Sequence, residues 1–283
     1  AMSMAQLKSA HVVTVHQVGE ISDTCFIAME LLEGETLESY LLREAPDLKE
    51  ALRIAKEIAQ ALRAAHQKGL IHRDIKPENV FLEGAQRTVK LLDFGLARPQ
   101  VTNSKLTMTG MIMGTPSYMS PEQAHAKEVD ARTDLFSLGC ILYQLVTGRK
   151  PFDGPTAMSV LISIVEHEPP SPGLIRENVP EALDRLIMSL LAKDPEYRLQ
   201  SAQDVIAAIT ALENEFFEGG DKAREQDVEP QKIGSELHVQ ALLTGRVSQR
   251  GDELVIQAEL IDVTDGAQLW GEKYNRKFAD LLA

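Results

Sequence analysis

The run Ile71-His72-Arg73-Asp74-Ile75-Lys76-Pro77-Glu78-Asn79 brings a carboxylate, an ammonium and a carboxamide into one short loop. Transfer of a phosphoryl group to a hydroxyl asks for those three types. A carboxylate orients the hydroxyl and takes its proton, a cation sits beside the migrating phosphate, and oxygen ligands hold a divalent metal. Asp74, Lys76 and Asn79 match these needs in turn. Fourteen residues beyond Asn79, Asp93-Phe94-Gly95 offers a second oxygen ligand, and Gly95 frees the backbone to turn. A His-Arg-Asp tripeptide standing alone is usually structural. Here it coincides with the whole loop, the second Asp, and Ser120-Pro121-Glu122 further on, and that combination is specific.

Such a loop needs elements to hold it. Residues 12–18 and 25–32 read as two short strands around a polar turn at 19–23. Thr36 is placed to cap a short helix that stops before Pro46. Asp47 opens a longer helix with Glu50 three residues on, a capping-box pattern. Within it Leu52, Ala55, Ile58, Ala59, Leu62 and Ala65 recur at helical spacing until Lys68-Gly69 closes it. Four more helical patterns follow, at 134–147, 156–166, 181–192 behind Pro180, and 202–216 capped by Ser201. The composition then shifts. Residues 218–232 are polar and charged, contain Gly219-Gly220 and Pro230, and read as a linker. Beyond them the period alternates. Val239, Ala241, Leu243 and Val247 share one face, and Leu254, Ile256, Ala258 and Leu260 share another. Residues 269–278 form a third strand, with turns at Gln249-Arg250-Gly251-Asp252 and Thr264-Asp265-Gly266. A three-stranded meander preceded by a short helix is expected.

The 283 residues are enough for one large domain and a small one, and 44% hydrophobic with 25% charged is ordinary globular composition. A net charge of -13 argues against a sequence-independent grip on nucleic acid or anionic membrane. Cys25 and Cys140 stand alone, without a CxxC or clustered His, so neither a disulfide framework nor a zinc site is expected. No apolar run approaches the roughly 20 residues that span a bilayer, and no signal peptide opens the chain. A soluble cytoplasmic chain is the expectation, with the possibility of a longer, membrane-anchored parent left open.

Residues 1–216 resemble the eukaryotic-like serine/threonine protein kinases of bacteria. Lys76, two residues after Asp74, is the serine/threonine signature of that family. Gly114-Thr115-Pro116-Ser117-Tyr118-Met119-Ser120-Pro121-Glu122-Gln123 resembles its peptide-docking loop, with Ser120 in place of the usual Ala. The resemblance implies ATP and Mg2+ as cofactors and serine or threonine hydroxyls of proteins as acceptors. Asp74 is then the base, Lys76 the phosphate cation, and Asn79 and Asp93 the metal ligands, with Thr115 bonded to Asp74 and Lys76. It further implies a Glu122–Arg198 pair and an Asp134 that anchors the catalytic loop. Met29-Glu30-Leu31-Leu32 resembles the hinge between lobes: Met29 the gatekeeper, the backbone of Glu30 and Leu32 at the adenine edge, and Phe81 the apolar floor. Met4, Val15, His72 and Phe94 fall where the family stacks its regulatory spine. Thr107 and Thr109 resemble the paired threonines that such kinases phosphorylate on themselves, with Arg73 as the phosphate's partner.

One departure stands out. No GxGxxG loop and no Val-Ala-Ile-Lys strand occurs in the 28 residues before Met29. The chain therefore reads as substrate-side chemistry without the phosphate clamp, a truncated product with little activity of its own. The rival reading is a non-catalytic binding or scaffold module. Gln231-Lys232-Ile233-Gly234-Ser235-Glu236-Leu237, Leu243-Thr244-Gly245-Arg246-Val247 and Leu269-Trp270-Gly271-Glu272-Lys273-Tyr274 are similar to the last part of a TolB-like module, implying a protein partner there. The expected architecture is α+β: a remnant N-lobe and hinge at 1–33, a mostly helical kinase C-lobe at 34–216, a linker at 217–232, and a partial three-stranded antiparallel α/β module at 233–283.

Overall fold

Side-chain caps set most helix starts in the computed structural model, which describes residues 7, 9–21, 24–93, 116–218, 239–250, 253–264 and 268–277. Thr36 accepts from the Ser39 N–H and starts α1 (Leu37–Arg43), and Asp47 accepts from the Glu50 N–H and starts α2 (Leu48–His66). The return half of the expected capping box is absent. The Glu50 carboxylate instead forks onto Arg53 at 2.8 Å, a charged partner stronger than a backbone N–H. Ser120 caps α3 (Pro121–Ala124) in a full box with Gln123, so Ser in this position has a structural use. There follow α4 (Arg132–Thr147), α5 (Ala157–Glu166) capped by Thr156, α6 (Pro172–Ile175), α7 (Glu181–Leu190) and α8 (Ala202–Glu213) capped by Ser201. Helix α4 begins two residues earlier than expected and α7 ends two earlier. The helical run expected to 216 changes at Asn214 into a π-turn through Glu218.

Helix α4 is the centre of the core. Nearly every residue from Thr133 to Val146 is buried, as expected of a helix packed on all sides. Helix α2, with Ile54, Ile58 and Leu62 fully buried, packs on α4 and on α8. Each such fully buried side chain contributes roughly 1.5–3 kcal/mol. Gly139 permits the close approach of α4 to α7, since a Cβ there would lie 2.7 Å from the Leu190 Cβ.

Three antiparallel sheets accompany the helices among the described residues. The hairpin β1 (Val15–Ile21) with β2 (Thr24–Met29) is one. Its pairing runs further than expected, through Gly19↔Phe26 to Ile21↔Thr24, because Gly19 has no side chain to meet the Phe26 ring. Val12 and Val13 do not join β1; they are buried against Leu91 instead, with the Val13 N–H on the Leu91 carbonyl at 3.0 Å. The second sheet has the order β3 (Gly34–Thr36), β4 (Val80–Glu83), β5 (Thr88–Leu91).

The chain divides into two units, Ala1–Glu218 and Gly219–Ala283. The second carries the meander β6 (Ala241–Arg250), β7 (Glu253–Asp262), β8 (Gln268–Lys277). Its register sets Leu243 opposite Leu260, Leu260 opposite Trp270, and Val247 opposite Ile256. The two apolar rows expected on separate faces therefore combine on one. The expected helix ahead of β6 and the two turn tips lie outside the described residues, and among the described residues no helix is long and apolar enough to cross a membrane.

Candidate functional site

The catalytic-type loop leaves α2 and is held by one buried carboxylate. Asp134, fully buried in the first turn of α4, accepts from the backbone N–H groups of His72 at 2.9 Å and Arg73 at 2.8 Å, and its Oδ2 lies 2.8 Å from His66 Nε2. This grip sustains Arg73 at a φ of 65°, a left-handed conformation uncommon for a side-chain-bearing residue. His72 is equally buried. Its Nε2 faces the Leu92 carbonyl at 2.7 Å and its Nδ1 receives the Asp74 N–H at 3.3 Å, which assigns the proton to Nε2. Burial lowers the His72 pKa against the opposing pull of Asp134 and the Leu92 carbonyl, so the ring is neutral.

Around Asp74 the sequence-predicted residues converge. Lys76 Nζ lies 3.2 Å from Asp74 Oδ2, and Asn79 Nδ2 donates to the same oxygen at 3.2 Å and to the Asp74 carbonyl at 2.8 Å. The Asn79 carbonyl accepts the Leu92 N–H at 2.9 Å. His72 and Asn79 thus both hold Leu92, which delivers Asp93, itself at a φ of 50° and exposed, to the same end of the loop. A carboxylate, an ammonium, a carboxamide and the exposed carboxylate of Asp93 are thus contributed by one loop and the residues that follow β5.

The hinge-like residues run from the end of β2 to the start of β3. The Glu30 N–H donates to the Thr14 carbonyl at 2.9 Å, so that group is committed to the sheet. Met29 is 41% and Leu31 92% exposed, whereas Leu32 and Phe81 are half-buried. Val15 is buried nearby in β1.

Behind the loop's neighbouring segment, Arg198 forks onto Glu122 with two bonds of 2.8 Å. Its remaining N–H groups reach the carbonyls of Ala192, Arg132 and Lys193 at 2.8, 3.1 and 3.0 Å, so all five donors are used. Thr133 Oγ1 donates to Glu122 at 2.6 Å. Burial works to raise the Glu122 pKa, but Arg198 and Thr133 outweigh it and hold the carboxyl below its ordinary value. Next to it Gln123 Nε2 donates to the Arg73 carbonyl at 2.9 Å, joining this segment to the catalytic loop.

Sequence reasoning did not single out several of these supports. Gln123 and His66 are two; the aromatic column behind Arg198 is another. The Arg198 guanidinium lies 4.9 Å from the Phe136 ring centroid, Phe136 stacks on Phe152 at 5.8 Å, and Lys193 Nζ sits 3.9 Å above Phe152. Only the apolar residue two places after Asp134 hinted at it. Met4, Phe94, Gly95, Thr107, Thr109 and Thr115 lie outside the described residues.

Residues 1–216 match the family described as "Protein kinase domain". The chain is 38% identical over 212 residues to serine/threonine-protein kinase PknB of Mycobacterium leprae, covering 73% of this chain and 34% of the relative. It is 36% identical over 210 residues to serine/threonine-protein kinase PrkC of Bacillus subtilis, covering 74% of this chain and 32% of that one. The chain thus spans about a third of the length of these curated relatives. The crystal structure of the Mycobacterium tuberculosis PknI kinase domain superposes with a TM-score of 0.58 at 28% identity, covering 74% of each chain. The fold is the α+β fold of that family.

Proposed function

The chain belongs to the protein kinase family, and from that premise we propose that it carries the catalytic loop of a bacterial serine/threonine kinase that phosphorylates protein hydroxyls. The observation that carries the reading is Asp74 held between Lys76 and Asn79 on a loop whose backbone is pinned by buried Asp134. In this reading Asp74 orients the acceptor hydroxyl and takes its proton at a carboxylate oxygen. Lys76 presents positive charge beside that oxygen, and Asn79 braces it. Family kinship implies ATP and Mg2+, and the residues fit them. Asn79 and Asp93 supply the oxygens a hard cation prefers, and exposed Met29 with half-buried Phe81 leaves apolar surface for an adenine. Bound as a magnesium complex, ATP supplies the phosphoryl group and the metal screens its charge. Recognition along the hinge falls to the Glu30 carbonyl and the Leu32 backbone. Thr115 is assigned to the acceptor side with Asp74 and Lys76.

These 283 residues contain no GxGxxG loop and no Val-Ala-Ile-Lys strand, so by themselves they are expected to transfer phosphate slowly. The direct test is labelled γ-phosphate transfer to serine and threonine, with and without Asp74→Asn.

Regulation is assigned to Thr107 and Thr109. Arg73 directly precedes Asp74 and its side chain is exposed, and a phosphate adds about -1.5 to -2 charges for an arginine to meet. A chimera carrying the family's clamp ahead of this chain, incubated with ATP and magnesium, is expected to show both threonines modified by mass spectrometry. Full activity of a Thr107→Ala/Thr109→Ala double variant would refute the switch.

For the C-terminal unit we propose the last part of a TolB-like module that binds a protein partner. Its support is the antiparallel meander with Leu243, Leu260 and Trp270 in one cross-strand row, Leu243 and Trp270 exposed. The domain division at 217–232 predicts that limited proteolysis cuts first between Glu218 and Pro230. A first cut within α4 would contradict it.

A further inference from the structure

We infer that Lys90 is a positioning residue for adenine recognition, a strut from β5 that fixes the hinge through the Glu30 carboxylate; the inference rests on the kinase reading above. Lys90 Nζ lies 2.9 Å from Glu30 Oε1 and 3.7 Å from Glu83 Oε2. The same Glu30 oxygen accepts the Thr14 N–H at 2.7 Å. One carboxylate oxygen therefore ties together the chain entering β1, the end of β2 and the middle of β5, which belong to two different sheets. An exposed ion pair would contribute little. This one is sheltered, with the Lys90 side chain 12% and the Glu30 side chain 26% exposed. Burial works to raise the Glu30 pKa, yet the Lys90 and Thr14 bonds prevail and keep it lowered.

The placement links the strut to the ligand. Lys90 stands directly opposite Phe81 in the β4–β5 register, so the residue that grips the hinge is the cross-strand neighbour of the adenine floor. The hinge is also tied at its far end, where the Gly84 N–H donates to the Glu33 carbonyl at 2.7 Å. Between those ties Leu31 is open to solvent. Without the strut, the spacing between the Glu30 carbonyl and Phe81 loses its side-chain brace.

Two readouts decide the matter. Backbone hydrogen exchange of 29–33 in Lys90→Met is expected to accelerate about tenfold while exchange in α4 stays unchanged, and Lys90→Arg is expected to restore protection. In a titration with ADP, Lys90→Met is expected to bind about tenfold more weakly than the unaltered chain, as loss of a charge-assisted bond allows, with Lys90→Arg recovering most of it. Exchange and affinity both within about twofold of the unaltered chain, or an acceleration shared by α4, would overturn the inference. Absence of ADP binding by the unaltered chain would instead refute the nucleotide reading, and with it the adenine role of Lys90, while exchange still reports whether the strut exists.

Discussion

Replacing Arg198 by Met is expected to destabilise the kinase-family unit by about 3–5 kcal/mol, the range found when one partner of a buried ion pair is removed. The Arg198 side chain is fully buried and that of Glu122 is 8% exposed. Loss of the guanidinium leaves a buried carboxylate with, among the described residues, only Thr133 as a side-chain donor, and three carbonyls each lose one donor. It also removes the cation above Phe136. Lys is a poor substitute, because the fork that meets both Glu122 oxygens and three carbonyls needs a planar five-donor group. A Glu122→Gln/Arg198→Met double variant is expected to recover a large part of the loss, since no buried charge is then unpaired. Because the folded Glu122 pKa lies below its ordinary value, its contribution is fully present above the usual carboxylate range. That contribution fades as pH falls through the lowered value. Urea unfolding at neutral and acid pH measures both effects. A neutral-pH loss below about 1 kcal/mol would mean the pair behaves as a surface bridge.

Much of the site is legible in the chain because it is local. Asp74, Lys76 and Asn79 sit within one loop, and their mutual contacts need no long-range information. Caps at Thr36, Asp47 and Ser201 are legible for the same reason: each is a side chain meeting a backbone N–H three residues on. The supports that escape the sequence are those made across long separations. Gln123 reaching the Arg73 carbonyl, Lys90 reaching Glu30, and Phe152 stacking on Phe136 all depend on how distant elements pack. The strand misplacement at 12–14 has the same origin: Val12 and Val13 suit a strand, but β5 offers them a buried partner. Alternation alone leaves the tail's two apolar rows unrelated, because register decides which residues stand opposite one another.

The second large effect concerns the chemistry itself. Phosphoryl transfer is catalysed mainly by positioning and by charge placed around the migrating group. On the proposed reading these 283 residues carry the acceptor-side half of that arrangement, and they lack the glycine loop and strand lysine. Missing preorganised contacts of this kind typically cost about 10²–10³ in rate each. The chain alone is therefore expected to label serine and threonine at least about 10²-fold more slowly than a chimera bearing the family's clamp. Within that chimera, the proposed role of Asp74 is to orient the hydroxyl and accept its proton. Asn in its place keeps the shape but accepts no proton, and the rate is expected to fall about 10²–10⁴-fold while the fold, judged by circular dichroism and urea melting, is unchanged. The decisive measurement is the initial rate of magnesium-dependent γ-phosphate transfer to a serine- and threonine-bearing basic protein by the chimera and by its Asp74→Asn variant. Loss of transfer in the variant is the predicted result; equal rates from two folded proteins would contradict the assignment of this loop to phosphoryl transfer.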